Sequence, residues 1–308
     1  MGILLTLALL LLKLSMMSTP SDSVSLHCPA KVNLMLSVHG RREDGFHTLS
    51  SVVAPLAFGD QLSIRRTKVD RLICSDPKTP TGPDNLVLKA AAAFRRRVGD
   101  MGAFEFSLEK RIPMGAGLGG GSSNAAIALI GMNRLLGEPL DRDALMELAA
   151  EIGSDCPFFI DSVPAVMRGR GEIIEPLDKE VSERLIGLPI ALFRPDFSIE
   201  TAWAYSQLIK SAPDSYEAEK IGLGRIDRFK RQGVITDLLF NSFEEVVGKK
   251  YLALPTMLED LRIEGFNVLL SGSGSCCFAL GEANLEKLKQ ILNAGWGDSV
   301  FWVETKIC

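Results

Sequence analysis

Along residues 31–38 polar and apolar side chains alternate: Lys31, Asn33, Met35 and Ser37 fall on one face of an extended chain, Val32, Leu34, Leu36 and Val38 on the other. The pattern predicts a strand with Lys31 and Asn33 pointing together, away from the core side. Comparable runs rich in β-branched and apolar residues, broken by Gly, Asp or Pro, predict strands at 48–56, 61–66 and 104–108. Residues 84–98 have the alanine-rich body of a helix, with Asp84 or Asn85 as its cap. Further on, an apolar helix is expected from 125 to 136. A second helix is expected over 141–152, where Leu145, Leu148, Ala149 and Ile152 bury one face before Gly153 stops it.

Around residues 180–188 the pattern resets. A strand at 189–193 precedes helices at 199–209, 236–247 and 255–263, then strands at 267–270 and 276–280 about a Ser/Gly turn, a helix at 284–293 and a last strand at 299–303. Helices mixed with an antiparallel hairpin predict an α+β domain. The expected organisation is a leader over 1–23, an N-terminal α/β-like domain over 24–181 and a C-terminal domain over 182–308. The apolar run at 2–12 is too short to span a bilayer and lacks the basic start and cleavage site of an export signal. Translation beginning at Met16 or Met17 is the preferred reading.

Charge and composition narrow the partners. A formal net charge of -4 gives no pull towards polyanions, and the one basic cluster, Arg95, Arg96 and Arg97, sits where a helix C-terminus favours cations. Six cysteines without a CxxC pair and three histidines supply neither a disulfide scaffold nor a metal cage. The expected partner is a small molecule, not nucleic acid or a membrane, and the expected setting a reducing cytoplasm, as a monomer or weak homodimer.

The strongest chemical signal follows the strand at 104–108. Pro113, Met114, Gly115, Ala116, Gly117, Leu118, Gly119, Gly120, Gly121, Ser122 and Ser123 form a glycine-rich loop running straight into a helix. Glycines let the backbone approach an anion and offer successive N–H groups, while the helix terminus adds partial positive charge, so phosphate is the natural guest. The loop is not a Walker A element, because no Lys follows its last glycine, nor does its spacing match a dinucleotide fingerprint. Asp155, in Gly153-Ser154-Asp155-Cys156-Pro157, reads equally as the cap of a short helix or as a catalytic carboxylate. The turn containing Ser273 and Gly274 reads first as a hairpin, although its N–H groups could reach a phosphate held nearby.

These segments, in this order, resemble the GHMP kinases, named for galactokinase, homoserine kinase, mevalonate kinase and phosphomevalonate kinase. The resemblance runs from about residue 25 to 303. Pro29-Ala30-Lys31-Val32-Asn33-Leu34, Asp44-Gly45-Phe46-His47 and Gly153-Ser154-Asp155-Cys156-Pro157-Phe158-Phe159 are similar to those members of the family that act on 4-diphosphocytidyl-2-C-methyl-D-erythritol. The resemblance implies an α+β fold of two domains, with a left-handed βαβ unit in the first, a ferredoxin-like second domain and the site between them. It implies ATP over Pro113 to Ser123 with Mg²⁺, Asn85 near the adenine, Asp155 as base towards the 2-hydroxyl, and Lys31 steadying that carboxylate and the transferring phosphoryl group. Asn33, Ser273 and Gly274 would face substrate, His47 would read the cytosine edge, and Phe46 would stack on its ring with Tyr205 opposite. Phe46 stands where the family more usually carries Tyr. Another alcohol of the same family, or a silent nucleotide-binding fold, are the rival expectations.

Overall fold

The computed structural model describes residues 22–99, 102–281 and 284–308, so nearly all of the expected leader lies outside the described residues. The chain opens with two long antiparallel strands, β1 (Ser23–Arg41) and β2 (His47–Thr67), followed by β3 (Arg71–Cys74), α1 (Leu86–Val98) and β4 (Ala103–Glu109). Next come α2 (Gly120–Leu135), α3 (Arg142–Ile152), α4 (Phe158–Asp161), β5 (Ala165–Gly169), β6 (Ile173–Pro176) and α5 (Lys179–Glu183). The second half holds β7 (Pro189–Arg194), α6 (Thr201–Lys210), α7 (Glu219–Gln232), β8 (Phe240–Asn241), α8 (Phe243–Gly248) and α9 (Ala253–Ile263). It ends with β9 (Val268–Leu270), β10 (Cys277–Leu280), α10 (Leu285–Trp296) and β11 (Phe301–Lys306).

One sheet runs β3-β4-β2-β1-β8, with β5 and β6 branching from β2. The other runs β11-β7-β10-β9, entirely antiparallel. With its own strands counted one to four in chain order, leaving out β8, its order is four, one, three, two, with helices at the first and last crossovers, the expected ferredoxin-like arrangement. Helices α1, α2 and α3 cover the first sheet through Ala90, Ala91, Phe94, Ala125, Leu129 and Leu148. Small alanines on facing helices let the backbones approach closely, while Phe94, Phe104 and Phe106 fill the remaining volume. A further core cluster joins the two halves, packing Val32, Leu34 and Leu56 against Leu192, Phe229 and Phe278.

Several expected elements change in physically intelligible ways. The strands at 48–56 and 61–66 are one strand, β2, and register shifts between Pro29 and Lys31 and between Asn33 and Met35 break the predicted alternation. Past the second shift Leu36, not Met35, lines the cleft beside Lys31 and Asn33, and Met35 is buried in the core. Helix α2 begins at Gly120, five residues before the expected start, because its first turn is built from the glycine loop itself. The helix expected over 236–247 is broken: a 3-10 turn at Ile235–Asp237, then β8, which pairs in parallel with β1, and only then α8. Helix α7, with apolar Ile226 and Phe229 on an otherwise charged surface, was hidden by its polarity.

Candidate active site

The glycine loop leaves β4 at Lys110 and turns under control of one carboxylate. Asp60, fully buried, accepts from Arg111 N at 2.7 Å, Ile112 N at 2.8 Å and Asn124 Nδ2 at 2.9 Å, and pairs with Lys110 Nζ. Four donors around one buried charge satisfy it, and removing a partner from such a pair costs about 3–5 kcal/mol. Lys110 also donates to Asn124 Oδ1 at 3.3 Å, so the entry to the loop and the first turns of α2 are tied to β2.

Within the loop, the conformation explains the glycines. Gly117 has φ of +75°, and a Cβ there would lie 2.1 Å from Ser271 O. Gly119 has φ of +71° and caps α2, where a Cβ would lie 2.8 Å from Phe159 Cζ and 3.0 Å from Lys31 Cγ. The C-terminal half clamps this loop: Cys276 N donates to Ala116 O at 3.2 Å and Ser271 Oγ to Gly117 O at 3.1 Å. Asn241 of β8 donates to Leu270 O and Gly272 O, both at 2.8 Å, holding the Ser/Gly turn in place.

Lys31 emerges beside the loop. Its backbone N–H donates to Leu118 O at 3.0 Å, its Nζ donates to Asn33 Oδ1 at 2.6 Å and stands 3.5 Å from Asp155 Oδ2. Asn33 in turn donates to Ser51 Oγ at 2.8 Å, and Ser51 to Met35 O at 2.6 Å. The Lys31 side chain is 6% exposed and that of Asp155 39%. Lys31 is thus buried by the site's own walls, and the expectation that it turns from the core holds only in direction. Asp155 lies in the turn after α3, while the short helix α4 is preceded by Pro157, so Asp155 is not its cap.

A second set of aromatic residues closes the far end. The hairpin tip between β1 and β2 is shaped by Asp44, which accepts from Phe46 N at 3.1 Å, and it presents Phe46 and His47. The His47 ring stands 4.8 Å from that of Tyr205, which packs edge-on to Phe243 at 4.9 Å. Burial first, then the charge of Arg41, lowers the His47 pKa. Phe46, 47% exposed, sits on the rim with the Arg170 guanidinium 4.9 Å from its ring centre.

Lys31, Asn33, Asn85, Phe46, His47, Asp155, Tyr205, Ser273 and the run from Pro113 to Ser122 all line one cleft of about 1010 Å³. Ser123 and Gly274 do not line it: Ser123 is sealed within the first turn of α2, its hydroxyl without a partner, and Gly274 packs behind the turn against Leu270 and Ile199. Asn85 caps α1, accepting from Val87 N at 2.9 Å, and also reaches the cleft. Lys110, Asn124, Ser51, Arg170 and Thr201 line it too and were not singled out in the sequence. Arg170, between Gly169 and Gly171, carried a legible signal as a lone cation in a tight turn.

Among the described residues no cluster of three His, Cys, Asp or Glu could hold a metal, and no helix is long and apolar enough to cross a membrane.

Residues 85–169 match the family described as GHMP kinases N terminal domain, and residues 223–298 that described as GHMP kinases C terminal. The 4-diphosphocytidyl-2-C-methyl-D-erythritol kinase of Protochlamydia amoebophila (strain UWE25) is 39% identical over 264 residues, 85% of this chain and 86% of that protein. The kinase of the same name from Persephonella marina (strain DSM 14350 / EX-H1) is 35% identical over 88% of this chain and 96% of its own length. A crystal structure of 4-(cytidine 5'-diphospho)-2C-methyl-D-erythritol kinase superposes with a TM-score of 0.73 at 32% identity, covering 92% of this chain and 99% of the other. Homoserine kinase from Cytophaga hutchinsonii shares the fold at a TM-score of 0.69 and 17% identity, over 94% of this chain and 96% of its own. The chain belongs to the GHMP kinases, ATP-dependent phosphotransferases, and within them to the 4-diphosphocytidyl-2-C-methyl-D-erythritol kinase family.

Proposed function

We propose that this chain transfers the γ-phosphoryl group of ATP to the 2-hydroxyl of 4-diphosphocytidyl-2-C-methyl-D-erythritol, an isoprenoid precursor of the non-mevalonate route. The observation that carries the reading is the Lys31–Asp155 pair, 3.5 Å apart, in a single cleft that also holds the glycine loop and the aromatic group of Phe46, His47 and Tyr205. The triphosphate lies along Pro113 to Ser122 with its adenine towards Asn85, and the cytosine lies by His47, between Phe46 and Tyr205. Asp155 takes the hydroxyl proton as the oxygen bonds the γ-phosphorus; the bond to the β,γ-bridging oxygen breaks and ADP leaves. The Lys31 ammonium lies against the negative charge spread over the transferring group. Asn33 holds Lys31 in place through their 2.6 Å hydrogen bond.

Mg²⁺ fits this donor set as an ion brought in on the nucleotide, because the cleft offers it just two separate carboxylates, Asp155 and Asp84, and hydroxyls such as that of Ser122. When bound it neutralises phosphate charge. All six cysteines are free thiols, which suits a reducing cytoplasm. The two-domain division near residue 181 accords with the two sheets, which fall on either side of it except for β8, lent by the second half to the first sheet.

A coupled ADP-release assay with Mg-ATP tests the reading by offering the cytidyl compound, homoserine, mevalonate and galactose in turn. Turnover on the cytidyl compound alone is the expected result. Preference for another alcohol overturns the substrate but keeps the kinase, and no turnover on any overturns both.

A further inference from the structure

The segment between α6 and α7 makes a contact that the phosphoryl-transfer chemistry leaves unused. Tyr216 sets its hydroxyl 3.2 Å from His47 Nε2, and the two rings stand 5.9 Å apart. The following residue fixes this segment to β1. Glu217 N donates to Val38 O at 3.0 Å, and Ser37 Oγ donates to Glu217 Oε2 at 2.5 Å. Arg225 donates to both Glu217 carboxylate oxygens at 2.6 and 2.5 Å, and His39 Nδ1 meets Glu217 O at 3.0 Å. So many bonds on one residue leave its neighbour Tyr216 little freedom.

The His47 imidazole is therefore held at Nε2 by Tyr216 and against Tyr205 on one side. Among the described residues its other nitrogen, Nδ1, meets no hydrogen-bond partner and is not sealed from solvent, the only sealed side-chain atom there without a partner being Ser123 Oγ. Burial lowers the imidazole pKa and raises that of the Tyr216 phenol, so the contact joins a neutral ring to an intact hydroxyl. Of the two groups the phenol is the stronger acid and the imidazole nitrogen the stronger base, so the O–H donates to Nε2. The ring hydrogen then resides on Nδ1.

We propose that Tyr216 is a positioning residue that fixes His47 in its Nδ1–H tautomer and so sets the choice of pyrimidine, an inference that rests on the cytidyl reading above. A donor at Nδ1 suits cytosine, whose N3 accepts a hydrogen bond. Uracil carries a hydrogen on N3 and meets the same nitrogen donor to donor. Without the phenol, the ring is free to move its hydrogen to Nε2 and present an acceptor instead.

The test uses the full chain and its Tyr216→Phe variant, which keeps the ring and loses only the hydroxyl. Calorimetry with CDP, UDP and Mg-ATP is expected to show CDP binding weakened about tenfold, the worth of one hydrogen bond, with UDP no weaker and ATP unmoved. An unchanged ratio of CDP to UDP affinity overturns the proposal. Nitrogen-15 NMR of the His47 ring reads the tautomer independently of any ligand: Nδ1–H is expected in the unsubstituted protein, shifting towards Nε2–H in Tyr216→Phe. An Nε2–H ring in the unsubstituted protein overturns the proposal whatever the ligands do. Should that protein show the Nδ1–H ring yet bind neither CDP nor UDP, the failure lies with the cytidyl reading, and the pyrimidine role falls with it.

Discussion

Asp155 is the residue whose removal separates chemistry from architecture most cleanly. Its side chain is 39% exposed and its one ion pair, with Lys31, spans 3.5 Å. Asp155→Asn removes the charge and the basicity but almost no volume, and Lys31 keeps Asn33 as a partner at 2.6 Å, so no buried cation is stranded. Stability is expected to change by less than about 1 kcal/mol, as for half-exposed pairs. Turnover is expected to fall by about 10²–10⁴, the usual worth of a positioned base, with the KM for ATP nearly unmoved. Near-native kcat in a steady-state assay would rule out Asp155 as the base. At this scale the sequence was most legible where a motif is local: Lys31 and Asn33 sit two apart on one strand, and Asp155 sits in a marked turn. Tyr216 and Ser51 were not legible, because they reach His47 and Asn33 only through partners 169 and 18 residues away.

At the scale of elements, the glycine loop was readable because its composition is its mechanism, whereas the length of α2 was not. A propensity reading stops a helix at glycine, and here Gly120 and Gly121 open one, since the clamp at Asp60 and Asn124 supplies what local propensity lacks. The same conflict hid β8, a two-residue strand formed only because β1 offers an edge, and merged two expected strands into β2 across an irregular register. Gly119→Ala tests whether the loop's shape is needed for nucleotide. At φ of +71° an alanine is strained, and its Cβ must displace Phe159 or Lys31. A loss of about 1 kcal/mol or more in stability is expected from the backbone alone. Titration calorimetry should show Mg-ATP binding weakened about tenfold, a 1.4 kcal/mol effect. Nucleotide affinity equal to that of the unsubstituted chain would mean that the loop tolerates displacement and that its glycines serve only the turn.

Taken whole, the described residues form two sheets but not two independent cores. Val32, Leu34 and Leu56 from the first half pack with Leu192, Phe229 and Phe278 from the second, and β8 completes the edge of the first sheet. The last residues return as well: Ile307 bridges to Leu56, and Cys308 N donates to Pro55 O at 3.0 Å. This shared apolar surface would be bared if one half unfolded alone, at about 25 cal/mol for every Å² exposed. A single cooperative transition is therefore expected, with calorimetric and van't Hoff enthalpies equal. The cleft lies against this seam, its loop clamped by Ser271 and Cys276 from the second half, whose turn Asn241 holds, so nucleotide stabilises both halves together. Mg-ATP at a hundred times its Kd adds about 2.7 kcal/mol. With an unfolding entropy of about 2.1 cal/mol/K per residue, that raises the Tm of the chain by roughly 4 °C. Scanning calorimetry with and without Mg-ATP checks both points at once. Two resolved transitions, of which only one moves with nucleotide, would show that the shared core is too weak to couple the halves.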